Sequence, residues 1–184
     1  MSKTSPTVLL CIGGGIAAYK SAMLCSRLVQ NGVQVRVAMS DAATKFIGVP
    51  TLSALSGRSV ATSLFDASRP LGSHIELADG LDLMIVAPAT ADLLAKFAHG
   101  IADDLISTTY LQATCPVILS PAMSDSMWNK AAVKRNIETL AKDGCKMIGP
   151  ESGWLSCRVR GDGRMSEPDT IAAAIFAALE LPQS

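Results

Sequence analysis

Val8–Ile12 is an unbroken β-branched and apolar run, the pattern of a strand buried on both faces. Gly13-Gly14-Gly15 follows it as a turn. From Ile16 to Val29 the apolar residues take helical spacing, and Asn31-Gly32 is a helix stop. Val33–Met39 predicts a second strand, and Ser40-Asp41 can cap a helix after it. Pro50–Ser56 predicts a short helix closed by Gly57, whereas Ser63–Ser73, with Pro70 and Gly72, reads as loop. Leu81–Ala87 is a third strand, ending at Pro88. Thr90–Phe97 and Ala102–Leu111 predict helices separated by His99-Gly100. Pro116–Leu119 is a fourth strand, Ser126–Lys142 a single mixed-charge helix stopped at Gly144, and Lys146–Ile148 a fifth strand. Gly149–Met165 is rich in Gly and Ser and shows no periodicity. Glu167–Leu179 is a last, Ala-rich helix with Pro168 in its first turn.

Repeated alternation of strand and helix calls for a parallel sheet with right-handed crossovers. The expected fold is α/β: one doubly wound, Rossmann-like domain over residues 1–184, with helices on both faces of the sheet. A ligand then belongs at the carboxyl ends of the strands, in the loops after Ile12, Met39, Ala87 and Leu119.

Composition narrows the class. A chain of 184 residues with 49% hydrophobic and 17% charged residues is globular and can bury roughly 70% of its unfolded surface. Sixteen basic residues balance sixteen acidic ones, and only 4% are aromatic. Neither a nucleic-acid partner nor a membrane surface is expected from that charge and aromatic content. No apolar run reaches the ~18 residues of a membrane span, and the N-terminus reads as a strand and turn, not a leader. The five cysteines are scattered with no CxxC pair, which points to thiols in a reducing cytoplasm and to no metal site. Low charge also suggests a surface buried in an oligomer.

The candidate chemistry sits in four segments. Gly13-Gly14-Gly15-Ile16-Ala17-Ala18 has the G-x-G-x-x-A form between a strand and a helix. It is either a phosphate cradle or a plain tight turn. The second strand ends at Ser40, not at the acid that a dinucleotide ribose requires, so a mononucleotide such as FMN suits it better. Ala87-Pro88-Ala89-Thr90-Ala91-Asp92 caps a helix and could also edge a flat ring. His74 is an isolated histidine, structural or catalytic, while His99 at a helix end is the bland comparison. Cys157 differs from the other four cysteines, which look like small core residues. It lies in an irregular loop, a lid or a disordered segment, beside Arg158 and Arg160, whose charge favours a thiolate.

These segments together resemble the homo-oligomeric flavin-containing cysteine decarboxylases, and within them the bacterial phosphopantothenoylcysteine decarboxylase domain. The likeness rests on Gly13-Gly14-Gly15-Ile16-Ala17-Ala18-Tyr19-Lys20, on His74-Ile75-Glu76-Leu77, and on Ala87–Asp92 with Ala102-Asp103-Asp104-Leu105. Pro121-Ala122-Met123-x-x-x-Met127-Trp128 and Gly163-Arg164-Met165-x-Glu167-Pro168 complete it, over about Val8 to Ile171. The resemblance implies FMN, held by Gly14, Gly15, Ile16, Ser40, Phe46, Ala87, Pro88, Ala89, Thr90, Asp92 and Met123. It implies His74 as a base, Cys157 as a proton donor on a flap of about residues 149–165, and Met123, Ser124 and Arg158 facing the substrate. It further implies a site shared between subunits of a homo-oligomer, a trimer or a dodecamer of trimers, and no synthetase segment on this chain.

Two departures fall on the substrate side. Ser124 stands where the family has Asn, and Ser156-Cys157-Arg158 where it tends to have Ala-Cys-Gly. The expected activity is FMN-dependent decarboxylation of 4′-phosphopantothenoylcysteine to 4′-phosphopantetheine in coenzyme A synthesis. The alternatives are decarboxylation of a peptide's C-terminal cysteine, or a non-catalytic FMN-binding regulator.

Overall fold

The first strand, β1 (Thr7–Ile12), explains its own unbroken apolar run. Leu10 and Ile12 point into one core and Leu9 and Cys11 into another, and all four are fully buried. The structure is a computed structural model and describes residues 5–181. After β1 come α1 (Ala18–Gln30), β2 (Gln34–Met39), a 3-10 turn (Ala43–Lys45), α2 (Val49–Ser56), α3 (Ser73–Ala78) and β3 (Leu83–Ala89). Then follow α4 (Ala91–Ala98), α5 (Leu105–Gln112), β4 (Val117–Pro121), α6 (Asp125–Trp128), α7 (Ala131–Lys142) and β5 (Lys146–Met147). β6 (Glu151–Trp154), β7 (Arg160–Arg164) and α8 (Pro168–Ala178) complete the described chain.

Five strands form one parallel sheet in the order β2-β1-β3-β4-β5. One core joins β1, β2 and β3 to Leu24 and Leu28 of α1, Leu52 of α2, and Ile171 and Ile175 of α8. The other joins the sheet to Leu77 of α3, Leu93 and Phe97 of α4, Ile106 of α5 and Leu140 of α7. Each large aliphatic side chain so buried contributes roughly 1.5–3 kcal/mol. The expected doubly wound α/β sheet is therefore the observed one. Its order reverses between β1 and β3, so the crevice beyond Ile12 and Ala89 is the topological switch point.

Three local expectations are corrected, and one unassigned stretch gains a helix. Residues 149–165 are not structureless: β6 and β7 pair antiparallel from Glu151↔Arg164 to Trp154↔Arg160. Their composition hides them, because β7 reads Arg-Gly-Asp-Gly-Arg, which has neither apolar alternation nor β-branched residues. His74, in a stretch to which the sequence pattern assigns no element, lies on the short helix α3 ahead of β3. Its last carbonyls are held from outside: the Arg36 guanidinium donates to Glu76 O at 3.1 Å, Leu77 O at 3.2 Å and Asp79 O at 2.6 Å. Ser126–Lys142 is two helices, because Lys130 is extended at the N-terminus of α7. Finally, α5 starts at Leu105 instead of Ala102, where Asp104 and Ser107 form a reciprocal capping box.

Candidate functional site

A cleft of about 480 Å³ opens at the switch point. Its floor is the β1–α1 turn. A Cβ on Gly13 would come 2.5 Å from Pro88 O, and one on Gly14 would collide with Ala42. Both glycines are thus needed for the β1, β2 and β3 loops to touch. Gly15 is different, since a Cβ there would meet no protein atom within 4 Å. Among the described residues, the amides of Gly14, Gly15 and Ile16 donate no hydrogen bond, and all three residues line the cleft at the start of α1. Unpaired amides, an open glycine and a helix N-terminus fit a bound phosphate. The lining residues carry the cations Lys20 and Arg164 and no carboxylate, which also suits an anionic ligand.

Lys20 is 4% exposed, although the sequence pattern gives it no role. Its Nζ donates to Met165 O at 2.8 Å and to Glu167 Oε1 at 3.0 Å. Arg164 also bonds Glu167. Hydrogen bonding from Lys20 holds the Glu167 carboxyl below the usual carboxylate range, with Arg164 adding to it. This cluster fastens the outgoing end of β7 to α1 beside the glycine turn.

Thr90 lines the opposite wall and caps α4, its Oγ1 accepting from Leu93 N at 3.3 Å. Ala122, Met123 and Ser124, after β4, line the cleft with Met127. Trp154, Leu155, Ser156 and Cys157 bring the β6–β7 hairpin over it. Cys157 is exposed at the tip. Arg158 adopts φ +64, the left-handed region that favours glycine. The other cysteines behave as packing residues: Cys11, Cys25 and Cys145 are buried and Cys115 is half-buried, with burial pushing the Cys25 thiol up to about 11.

The cleft therefore brings together Gly14, Gly15, Ile16, Thr90, Met123, Ser124 and Cys157. It does not include the other expected residues. Ala87, Pro88 and Ala89 are buried in β3 behind the wall. Asp92 points outward and pairs with Lys96 at 3.5 Å. Ser40 Oγ accepts from Ala43 N at 3.1 Å, capping the 3-10 turn that leads to the exposed Phe46. Arg158, next to Cys157 at the hairpin tip, is not among the residues that line the cleft. His74 lies on α3, which packs against α5, outside the cleft, and its Nδ1 is buried without a hydrogen-bond partner among the described residues. Tyr19, Lys20, Trp154 and Arg164 also line the cleft, although the sequence pattern assigns none of them a role there. A lysine on the buried stripe of α1 is the one pattern break that could have flagged Lys20.

The parallel order with a glycine turn at the switch point defines an α/β protein of the doubly wound class with its ligand cleft at the carboxyl ends of the strands. The Flavoprotein family model matches residues 1–180, and the chain belongs to that family. It is 49% identical over 165 residues to the coenzyme A biosynthesis bifunctional protein CoaBC of Bacillus subtilis, covering 89% of this chain and 41% of that protein. The CoaBC of Escherichia coli K12 is 46% identical over 172 residues, covering 93% of this chain and 42% of that protein. The chain thus spans about two-fifths of the curated relatives it matches. Among solved structures, the FMN-dependent cysteine decarboxylase SpaF is 30% identical with TM-score 0.81, over 96% of this chain and 98% of that one. A Cys-to-Ser mutant of PPC decarboxylase, complexed with pantothenoylaminoethenethiol, is 28% identical with TM-score 0.86, over 96% and 99%.

Proposed function

We propose that this chain binds FMN and decarboxylates 4′-phosphopantothenoylcysteine to 4′-phosphopantetheine, as a step of coenzyme A synthesis in the cytoplasm. The observation that carries the reading is one cleft with an anion cradle of free amides at its floor and a cysteine-bearing hairpin above it. The likeness to CoaBC proteins and to PPC decarboxylase supports the choice of substrate. Residues 1–184 act as a single flavoprotein domain, with about 149–165 as the flap.

FMN, when bound, supplies reversible two-electron chemistry at the thiol-bearing carbon of the substrate. The protein does the rest. Amides of Gly14, Gly15 and Ile16 bind the cofactor phosphate, with Ser40, Phe46, Ala87, Pro88, Ala89, Thr90, Asp92 and Met123 placed around the same loops. Ser124 donates its hydroxyl to the substrate carboxylate, with Met123 and Arg158 beside it. His74 accepts the proton released when the substrate thiol is oxidised. Cys157 returns a proton to carbon after CO₂ has left.

His74 reaches that chemistry in a neighbouring subunit. The reading is a homotrimer or a dodecamer of trimers. Ile16, Tyr19 and Met23 support it, as exposed apolar residues running from the glycine turn onto α1 at the edge of the cleft. Phe65, Leu71 and Ile75 leave a second apolar surface exposed around α3. Joining the two types of surface would bring one chain's His74 to another's cleft.

A second reading, decarboxylation of a peptide's C-terminal cysteine, rests on Ser124, whose short hydroxyl changes the group offered to the substrate. The test offers both substrates to FMN-loaded protein and follows CO₂ loss by mass spectrometry. Turnover of the phosphorylated substrate alone is expected. Loss of CO₂ from neither, with FMN bound, would reduce the protein to a non-catalytic flavin carrier.

A further inference from the structure

The hairpin that carries Cys157 is held at its outgoing edge by the segment that carries Ser124. Asp162 N–H donates to Asp125 Oδ1 at 2.8 Å, and Met123 N–H donates to Gly163 O at 2.9 Å. The fit is close on both sides. A Cβ on Gly161 would lie 2.7 Å from both Cβ and Oδ1 of Asp125, and a Cβ on Gly163 would collide with Met123 O. Beyond this strap the hairpin holds only itself: Arg158 N–H donates to Leu155 O at 2.9 Å, and Leu155 N–H donates to Val159 O at 2.9 Å. Among the described residues, no hydrogen bond or ion pair ties 156–160 to anything outside the hairpin.

We propose that Asp125 is a positioning residue: by accepting the Asp162 amide it seats the β6–β7 hairpin over the cleft and sets where Cys157 stands relative to Ser124. This rests on the reading of Cys157 as the proton donor. The geometry gives the reason for the residue type. A half-buried carboxylate accepts an amide hydrogen bond strongly, and Gly161 leaves the room for it. Residues 123–125 then have two duties. Met123 and Ser124 face the cleft, and Asp125 turns the other way onto the flap. Substrate contact and flap position are coupled through a single short segment. A small displacement at its base is felt at the tip, where proton transfer depends on placement within about an ångström.

Two variants and their rescue test this in the FMN-loaded protein. D125A removes the acceptor, and G161A pushes Asp125 away from the other side. D125N keeps Oδ1 as an acceptor without the charge. Hydrogen exchange at the Asp162 amide should rise roughly tenfold in D125A and G161A, the loss of one modest hydrogen bond, and stay close to wild type in D125N. FMN content should be the same in all. In single anaerobic turnovers, D125A should accumulate the unsaturated thiol product, with kcat down about tenfold or more and KM little changed, and D125N should recover most of the loss. Unchanged exchange in D125A refutes the strap. Raised exchange with a wild-type rate of product reduction refutes the positioning role. If the wild type decarboxylates neither substrate, the functional reading fails, and the exchange comparison alone still decides whether Asp125 seats the hairpin.

Discussion

Replacing Lys20 with Met removes the ammonium but keeps the aliphatic stem that fills the space beneath it. Two hydrogen bonds are lost, to Met165 O at 2.8 Å and to Glu167 Oε1 at 3.0 Å. The first matters more. Met165 is 1% exposed, so its carbonyl is left without a partner, and a hydrogen bond to a charged donor is worth about 1.5–3 kcal/mol. The second is worth at most about 1 kcal/mol, because the Glu167 side chain is 44% exposed and keeps Arg164. Against both stands the ammonium's own desolvation, which Met does not incur. The net expectation is a loss of roughly 2 kcal/mol. In a chain of this length that lowers Tm by about 4–8 °C. Thermal unfolding at matched protein and FMN concentrations measures it, since ligand and subunit binding also move Tm. The pH dependence adds a sign. Lys20 holds the Glu167 carboxyl below the ordinary value of 4.5, so that part of the stability is present above 4.5. It is lost as pH falls through the lower folded value. The gap between wild type and K20M must therefore narrow on acidification. A variant as stable as wild type, or a gap that widens in acid, would show that the buried ammonium is no net asset.

Three further outcomes follow from the same geometry. Gly15→Ala should leave the Tm of the flavin-free protein nearly unchanged, because nothing lies within 4 Å of the new Cβ, yet the purified protein should lose its flavin absorbance if a phosphate occupies that space. Arg158→Gly should raise stability by about 0.5–1 kcal/mol by relieving φ +64, seen as a higher Tm; a simultaneous rise in KM would place the Arg158 side chain on the substrate. His74→Asn and Cys157→Ser proteins, each deficient alone, should regain turnover when their subunits are mixed and reassembled, and failure in proteins shown to exchange subunits would confine both groups to one chain.

Much of the fold is legible because the parallel sheet is built from dense apolar runs. Val8–Ile12 and Leu81–Ala87 identify themselves, as does the glycine turn between β1 and α1. The hairpin 151–164 is invisible for the opposite reason. It is stabilised by backbone pairing and by contacts to Lys20, Met123 and Asp125, all distant in sequence, and none of these leaves a periodic trace. Helix α3 is hidden in the same way, since six residues cannot hold a helix and Arg36 from β2 supplies the missing cap. At the site, the glycines and Thr90 were readable from motif spacing. Lys20 and Asp125 were not assigned, because their partners are carbonyls and amides that any residue type provides.

That contrast explains where the chain departs from its family. The floor of the cleft is made of backbone: unpaired amides at Gly14, Gly15 and Ile16, and glycines whose loops touch. Few substitutions are open to it, since a side chain on Gly13 or Gly14 collides with the neighbouring loop. The lip is made of side chains on two segments, 123–125 and 154–158, and those can change if the backbone beneath them holds. Ser124 and the Ser156-Cys157-Arg158 tip both lie there. The backbone of the lip is itself pinned at Gly161 and Gly163, each pressed against residues 123–125. A shorter side chain at 124 therefore cannot be compensated by a wholesale shift of the flap. If Ser124 holds the substrate carboxylate, the expected adjustment is the substrate moving toward Ser124, or the tip beyond Leu155 closing further. Among the described residues the tip has no outside hydrogen bonds, so if Ser124 does face the substrate, adjustment to a different cysteine-ended substrate is expected at residues 156–160, away from the glycine floor.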